Sequence, residues 1–302
     1  AYDALGNVVE YFDAANLDTT ADDVTSVIGY HSDPAAYIVG KADSVTVTGQ
    51  GGNGAGGTYR TREATFETST GNLLSLRSVL ENGTAAVTDM TYDGFGNLIR
   101  VTGPANATGQ RYALDYTFDP DVATYVTGIT DSFGYSSTAT YDVRFGELLG
   151  TSDLNGQPMT YELDDKGRVV SVTGPYQTGT GFDTITFAYN PLLDVPGDDQ
   201  YPNVDVSYAL TQHIDVYRNI SDPIETVLFI DGLGRALQTK KDAAVGDVNG
   251  SNDVMVASGR VTFDFLGRQT EQYYPVVENL TQQEVFNATY DTITPTLTDY
   301  DI

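Results

Sequence analysis

The chain has no cysteine, no tryptophan, two histidines and only 15 basic residues against 42 acidic ones over 302 positions. The missing cysteines exclude disulfide frameworks, thiolate zinc sites and cysteine nucleophiles. His31 and His213 alone leave almost no material for a multi-histidine metal site or a histidine relay. A net charge of −27 speaks against a nucleic-acid partner, because neutralising phosphates takes clustered Lys and Arg. Charged residues are nonetheless only 19% of the chain. The net charge therefore comes from scarce bases, and the composition is not that of a disordered acidic tail. No apolar run approaches the roughly 18 residues of a membrane span. The start at Ala1-Tyr2-Asp3 is neither a Met nor a signal peptide, which suggests an excised piece of a longer protein.

What is present points to strands. The chain is 40% hydrophobic, enough for a substantial core in one or two domains. Its 21 Tyr and 12 Phe, with many Val and Thr, favour pleated surfaces, while 31 Gly and 11 Pro interrupt it too often for long helices. The expectation is an all-β fold of antiparallel hairpins in a single segment spanning 1–302, with at most one or two short helices.

One unit recurs. It reads Tyr2-Asp3-Ala4-Leu5-Gly6-Asn7-Val8-Val9, Tyr92-Asp93-Gly94-Phe95-Gly96-Asn97-Leu98-Ile99, Ile230-Asp231-Gly232-Leu233-Gly234-Arg235-Ala236-Leu237 and Phe263-Asp264-Phe265-Leu266-Gly267-Arg268. Degenerate copies are Leu163-Asp164-Asp165-Lys166-Gly167-Arg168, Asp131-Ser132-Phe133-Gly134 and Asp153-Leu154-Asn155-Gly156; two more carry an extra residue before Gly71 and Gly146. The unit is that of a β-hairpin. An aromatic ends one strand, Asp accepts backbone N–H bonds across the turn, Gly supplies positive φ, and apolar residues start the return strand. From Gly134 through Gly146 and Gly156 to Gly167 the spacing allows one short strand per step, hence a meander.

Tyr-Asp-x-x-Gly-Asn/Arg followed by two apolar residues resembles the YD repeat of bacterial Rhs proteins. Tyr37-Ile38-Val39-Gly40-Lys41 with the strand-like Ser44–Val47, and Phe229–Arg235, resemble segments of the B component of Tc insecticidal toxin complexes and SpvB/TcdB-like proteins. The copies run from Tyr2 to Tyr300-Asp301-Ile302. The resemblance implies hairpins coiled into a spiral β-sheet shell around a toxic C-terminal domain. It further implies a secreted or cell-surface bacterial protein, whose partners are the rest of the shell, an enclosed cargo polypeptide and other toxin-complex subunits. No Asp-Pro-x-Gly-Leu type of self-cleaving motif is present, Asp119-Pro120-Asp121 being the nearest string.

Along the chain, the glycine-rich stretch Gly49–Thr58 reads as a surface hairpin loop between strands at Val45–Thr48 and Tyr59–Phe66. Val101-Thr102-Gly103-Pro104 and Val172-Thr173-Gly174-Pro175 read as equivalent corners of successive windings. Asp194–Pro202 reads as a loop inside one domain, with a strand resuming at Val204–Tyr208. Short helices are expected at Thr20–Val27, where Thr20-Ala21-Asp22-Asp23 resembles a capping box, and at Thr281–Glu284.

No catalytic group emerges. Asp22-Asp23, Asp164-Asp165 and Asp198-Asp199 are adjacent carboxylates, and adjacent residues in a strand face opposite ways, whereas glycoside hydrolysis needs carboxyl groups facing each other about 5–10 Å apart. Asp247, Asn249 and Asp253 resemble the start of a calcium loop but lack its Gly and its distal Glu. A polar turn is the expected structure there, and the high negative charge leaves calcium as the one cofactor to test. The Asn-x-Ser/Thr strings beginning at Asn82, Asn106, Asn219, Asn249, Asn279 and Asn287 are at chance frequency. The residues expected to carry function are therefore the turns themselves: Tyr2, Asp3, Gly6, Tyr92, Asp93, Gly96, Asp164, Gly167, Arg168, Asp231, Gly234, Arg235, Asp264, Gly267 and Arg268. The function expected is containment by a non-catalytic shell segment; a strongly negative wall would repel acidic and attract basic cargo where the inward face bears the charge. The alternative from another class is a surface adhesin presenting the repeats to carbohydrate or protein, as teneurin-like YD-repeat proteins do.

Overall fold

The computed structural model describes residues 1–49, 57–80, 83–190, 206–247, 250–287 and 294–301. It is all-β, and its contacts divide it into unit 1, Ala1–Gly156, and unit 2, Gln157–Ile302.

Unit 1 is an antiparallel meander. Its strands are β1 (Glu10–Asp13), β2 (Val24–Asp33), β3 (Ile38–Gly49), β4 (Gly57–Phe66), β5 (Leu73–Val79), β6 (Ala85–Tyr92), β7 (Leu98–Ala105), β8 (Arg111–Phe118), β9 (Val126–Asp131), β10 (Ser136–Asp142) and β11 (Glu147–Ser152). Each pairs with the next. Registers place Ile28, Val45, Ala64, Leu76, Met90, Val101, Leu114 and Ile129 on one face, from the direct pairs Ile28↔Val45, Ala64↔Leu76, Met90↔Val101 and Val101↔Leu114 and the two-residue period. The other face carries the cross-strand ion pairs Arg77–Glu63 (2.6 Å), Arg111–Asp89 (2.7 Å) and Arg100–Asp115 (2.8 Å). These pairs are solvent-exposed, so each contributes only about 0–1 kcal/mol; their effect is to penalise a one-residue slip, which would bring them to the apolar face. Among the described residues of unit 1 only Ile38, Gly71, Ala113 and Asp119 are buried. The described strands of unit 1 form one layer, each hydrogen-bonded to the next.

Unit 2 continues the pattern with β12 (Pro158–Leu163), β13 (Val169–Thr173), β14 (Ile185–Asn190), β15 (Tyr208–His213), β16 (Ile224–Ile230), β17 (Ala236–Asp247) and β18 (Gly250–Ala257), paired in order, with β21 (Val276–Glu278) beyond β18. A small separate sheet joins β19 (Val261–Phe263), β20 (Gln269–Gln272) and β22 (Thr296–Leu297). Here one face does gain a second layer. After β21 the chain makes a single 3-10 turn, Leu280–Gln282, and runs back across the sheet. Phe286 packs on the cluster of Leu210, Val227 and Phe229, its ring 5.6 Å from that of Phe229.

Lys240, 1% exposed, fastens this strap: its ammonium donates to Glu278 Oε2, to the Gln282 carbonyl (2.7 Å) and to the Val285 carbonyl (2.5 Å). All three protons are thereby used, which is what a buried ammonium requires. Gln238 and Asn287 exchange two further bonds, side-chain N–H to carbonyl at 3.2 Å and backbone N–H to amide oxygen at 3.0 Å.

Several sequence expectations are corrected. Residues Thr20–Val27 are not helical: Thr19 Oγ1 accepts from Ala21 N–H in a turn, and β-branched Val24 and Thr25 enter β2, paired on both sides. The helix expected at Thr281–Glu284 is the 3-10 turn, one residue earlier. Gly103-Pro104 remains inside β7, marked by a register irregularity, whereas Gly174-Pro175 leaves its strand. The stretches 50–56 and 191–205 lie outside the described residues.

Candidate functional site

The recurrent turns have one geometry. In Asp93–Gly96 the Gly96 N–H donates to the Asp93 carbonyl (3.2 Å) and the Asp93 N–H to the Asn97 carbonyl (2.9 Å), a turn closed by a left-handed glycine. Gly96 has φ +89° and no neighbour where a Cβ would stand, so the backbone angle and not crowding selects glycine. The Asp93 carboxylate then organises the loop: Oδ1 accepts from Phe95 and Asn97 N–H, both at 2.9 Å, and Oδ2 from the Asn97 side chain at 3.1 Å. Asp3 repeats this with Leu5 and Asn7. Asp164, Asp231 and Asp264 repeat it with Arg in place of Asn, the guanidinium Nε donating at 2.7, 2.6 and 2.8 Å. Where one extra residue precedes the glycine, the closing bond lengthens by one: Gly71 N–H reaches Glu67, and Gly146 N–H reaches Asp142.

In five of these turns the residue after the glycine also ties the turn to another element. Asn97 Nδ2 donates to the Ala123 carbonyl (2.7 Å) and Asn7 Nδ2 to the Val39 carbonyl (2.6 Å). In the Arg copies the guanidinium lies over an aromatic ring: Arg168 on Tyr189 (4.3 Å), Arg235 on Phe263 (4.3 Å) and Arg268 on Tyr300 (4.5 Å). A tyrosine completes the tie by donating its hydroxyl to the carbonyl two residues past a turn glycine. Tyr30 reaches Val8 (2.9 Å), Tyr92 reaches Leu73 (3.0 Å), Tyr189 reaches Val169 (2.8 Å) and Tyr300 reaches Gln269 (2.9 Å). At Arg168–Tyr189 and Arg268–Tyr300 turn, cation and tyrosine together form a lateral stitch between hairpins; at Val8 and Leu73 the tyrosine hydroxyl makes the tie without a cation.

The electrostatics follow from these bonds. The Asn7 amide and turn N–H groups hold Asp3 below the usual carboxylate range. For Asp231 and Asp264 the Arg N–H is the leading cause, and Asp93 and Asp164 are lowered by their turn hydrogen bonds against a desolvation that opposes them. Asp119, a buried variant, accepts four backbone N–H bonds from Asp121, Val122, Thr124 and Tyr125 and is held down to about 2, Tyr125 and Val122 contributing most. Asp142 is also brought to about 2, by Arg144 first.

Other singled-out residues disperse. Asp247 ends β17, Asn249 lies outside the described residues, and Asp253 stands 3.7 Å from Arg218, whose guanidinium also meets Asp215 (2.6 Å) and Asp242 (3.7 Å). Among the described residues no three His, Asp or Glu side chains are placed to hold a metal ion. His31 stacks on Phe66 at 5.9 Å, and His213 is exposed, with Asp215 turned to Arg218 instead.

Comparison with known proteins places this architecture. The chain superposes on the crystal structure of TcdB2-TccC3-TEV over 92% of its length (TM-score 0.63, 12% identity), and on that of TcdB2-TccC3 over 92% (0.61, 13%). It superposes on a Photorhabdus luminescens Tc holotoxin pore over 85% (0.58, 12%). It spans 22%, 20% and 20% of those chains, about a fifth of each. Residues 203–301, which include the strap, match a family described as a domain of unknown function, DUF6443. No curated protein matches the sequence. The fold of this chain is that of a part of the Tc toxin TcdB2-TccC3 structures.

Proposed function

We propose that this chain is a structural, non-catalytic wall segment of an Rhs/Tc-type β-sheet shell that encloses a toxin or other cargo polypeptide. The superposition on TcdB2-TccC3 over 92% of the chain carries the reading. The physical character of the sheet supports it. In unit 1 a single-layered meander with stitched turns suits a thin wall, and its two faces differ: one apolar, one carrying ion pairs. Such a sheet needs a second surface on its apolar side and further strands at its edges. A shell supplies both. Its partners are the remaining shell and the cargo, with other toxin-complex subunits outside, in a secreted or cell-surface bacterial assembly. The turn residues Asp3, Asp93, Asp164, Asp231 and Asp264, with their glycines and Asn or Arg partners, keep the wall in register.

Limited proteolysis of the complete polypeptide tests this. A C-terminal cargo resistant to protease until the wall is denatured supports containment; a cargo cleaved as fast in the intact protein as in the denatured one overturns it, and capture on glycan or protein surfaces would then favour adhesion.

A further inference from the structure

The β7–β8 and β9–β10 turns border a cleft of about 450 Å³ lined in part by Asn106, Gln110, Arg111, Tyr112 and Phe133. This lies within the roughly 300–1,000 Å³ of small-molecule sites. Tyr112 and Phe133 stand 6.0 Å apart at 38° and are 46% and 77% exposed. The fold does not require the aromatic at 133. Asp131 Oδ1 already closes that turn by accepting from Phe133 and Tyr135 N–H (2.8 and 3.0 Å), and Gly134 supplies φ +87°. A large apolar side chain held out at a turn tip beside a second aromatic is a surface waiting for a flat apolar partner.

The charges around the cleft are already committed. Arg111 donates to Asp89 (2.7 Å) and to the carbonyls of Gly103 (2.7 Å), Val87 (2.9 Å) and Thr102 (3.0 Å). Among the described residues no carboxylate lines the cleft, and the nearby Asp131 carboxylate accepts from its own turn. An anionic ligand therefore finds no free cation there, and a cationic one finds no carboxylate in the lining. What remains is two aromatic faces and amide groups: Asn106 turns its oxygen to Thr108 and Gln110 N–H (2.9 and 3.0 Å), leaving its NH₂ only a long 3.5 Å contact to the Gln110 oxygen. We propose that this cleft binds a neutral saccharide, one apolar pyranose face lying on Phe133 and Tyr112 and its hydroxyls meeting the amides of Asn106 and Gln110. The site is independent of the containment reading, since a wall can carry it.

The test is the complete polypeptide that contains this chain on an array of neutral, sialylated and sulfated glycans, followed by calorimetric titration of the best neutral oligosaccharide. Phe133→Ala and Gln110→Ala are measured beside it, with thermal melting to confirm that both remain folded. Expected is salt-insensitive binding of a neutral glycan that weakens about tenfold or more in Phe133→Ala and measurably in Gln110→Ala. Absence of neutral-glycan binding, binding only to sulfated or sialylated glycans, or binding unchanged in Phe133→Ala overturns the proposal.

Discussion

Replacing Lys240 by Met removes the cation that fastens the strap of unit 2 while keeping most of the side chain's volume. The wild-type ammonium satisfies one carboxylate and two carbonyls, with Lys240 and Glu278 side chains 1% and 11% exposed. Removing one partner of a buried pair costs about 3–5 kcal/mol, because the other charge stays buried without compensation. Glu278 keeps the Asn287 amide as a partner, so the lower half of that range is expected. At about 2–4 °C per kcal/mol for a domain of this size, the melting temperature falls by roughly 6–15 °C. The assay is calorimetric melting combined with hydrogen exchange read over residues 279–287. Exchange in the strap should accelerate far more than in β7 or β8 of unit 1. In the double variant Lys240→Met/Glu278→Leu most of the lost stability should return, since an apolar pair of similar volume replaces the ionic one. A single variant within about 1 kcal/mol of the wild type, or one that loosens the whole chain evenly without the strap opening first, would refute the role of Lys240 as the fastening.

Gly96→Ala should cost about 1–2 kcal/mol from the left-handed backbone alone, with nothing added by crowding; Gly96→Asn should recover part of it, as chemical denaturation of the pair will read. Tyr189→Phe removes the hydroxyl bond to the Val169 carbonyl but keeps the ring under Arg168, predicting a loss of about 0.5–1.5 kcal/mol by the same measurement. The turn aspartates have folded pKa values below their unfolded ones, so their contribution is fully present above the unfolded value of about 3.9. It is lost as pH falls through the folded values, about 2 for Asp119 and Asp142. Melting temperature should therefore be flat in this respect above about pH 5 and fall between about pH 4 and 2. Asp119→Asn should flatten that acid limb; an unchanged limb would show that these carboxylates do not carry it.

The turns were legible because their chemistry is local. Asp at the first position, Gly three residues later and an apolar return strand each follow from the hydrogen bonds of one loop, and the structure builds Asp93–Gly96 from those bonds. The Asn or Arg after the glycine was visible as a pattern but not as a function, because its lateral partner is set by register: Ala123 for Asn97, Tyr189 for Arg168. Lys240 carried no signal at all. In sequence it is one of two adjacent lysines on a strand, and only the return of 278–287 across the sheet buries it. The helix expected at Thr20–Val27 failed for a related reason: the capping-box pattern is local, but pairing of Val24 and Thr25 on both sides outweighs it. Tyr112 and Phe133 meet because adjacent hairpins bring their turns together.

The most direct measurement is a cryo-EM map of the complete polypeptide that contains this sequence. In that map β1–β18 are expected to form part of a closed wall, with the apolar face of Ile28, Leu76, Val101 and Leu114 covered, and density for a separate polypeptide is expected to fill the enclosed space. An open sheet with empty solvent on both faces, or one whose turns contact glycan or a neighbouring molecule with nothing enclosed, would contradict containment.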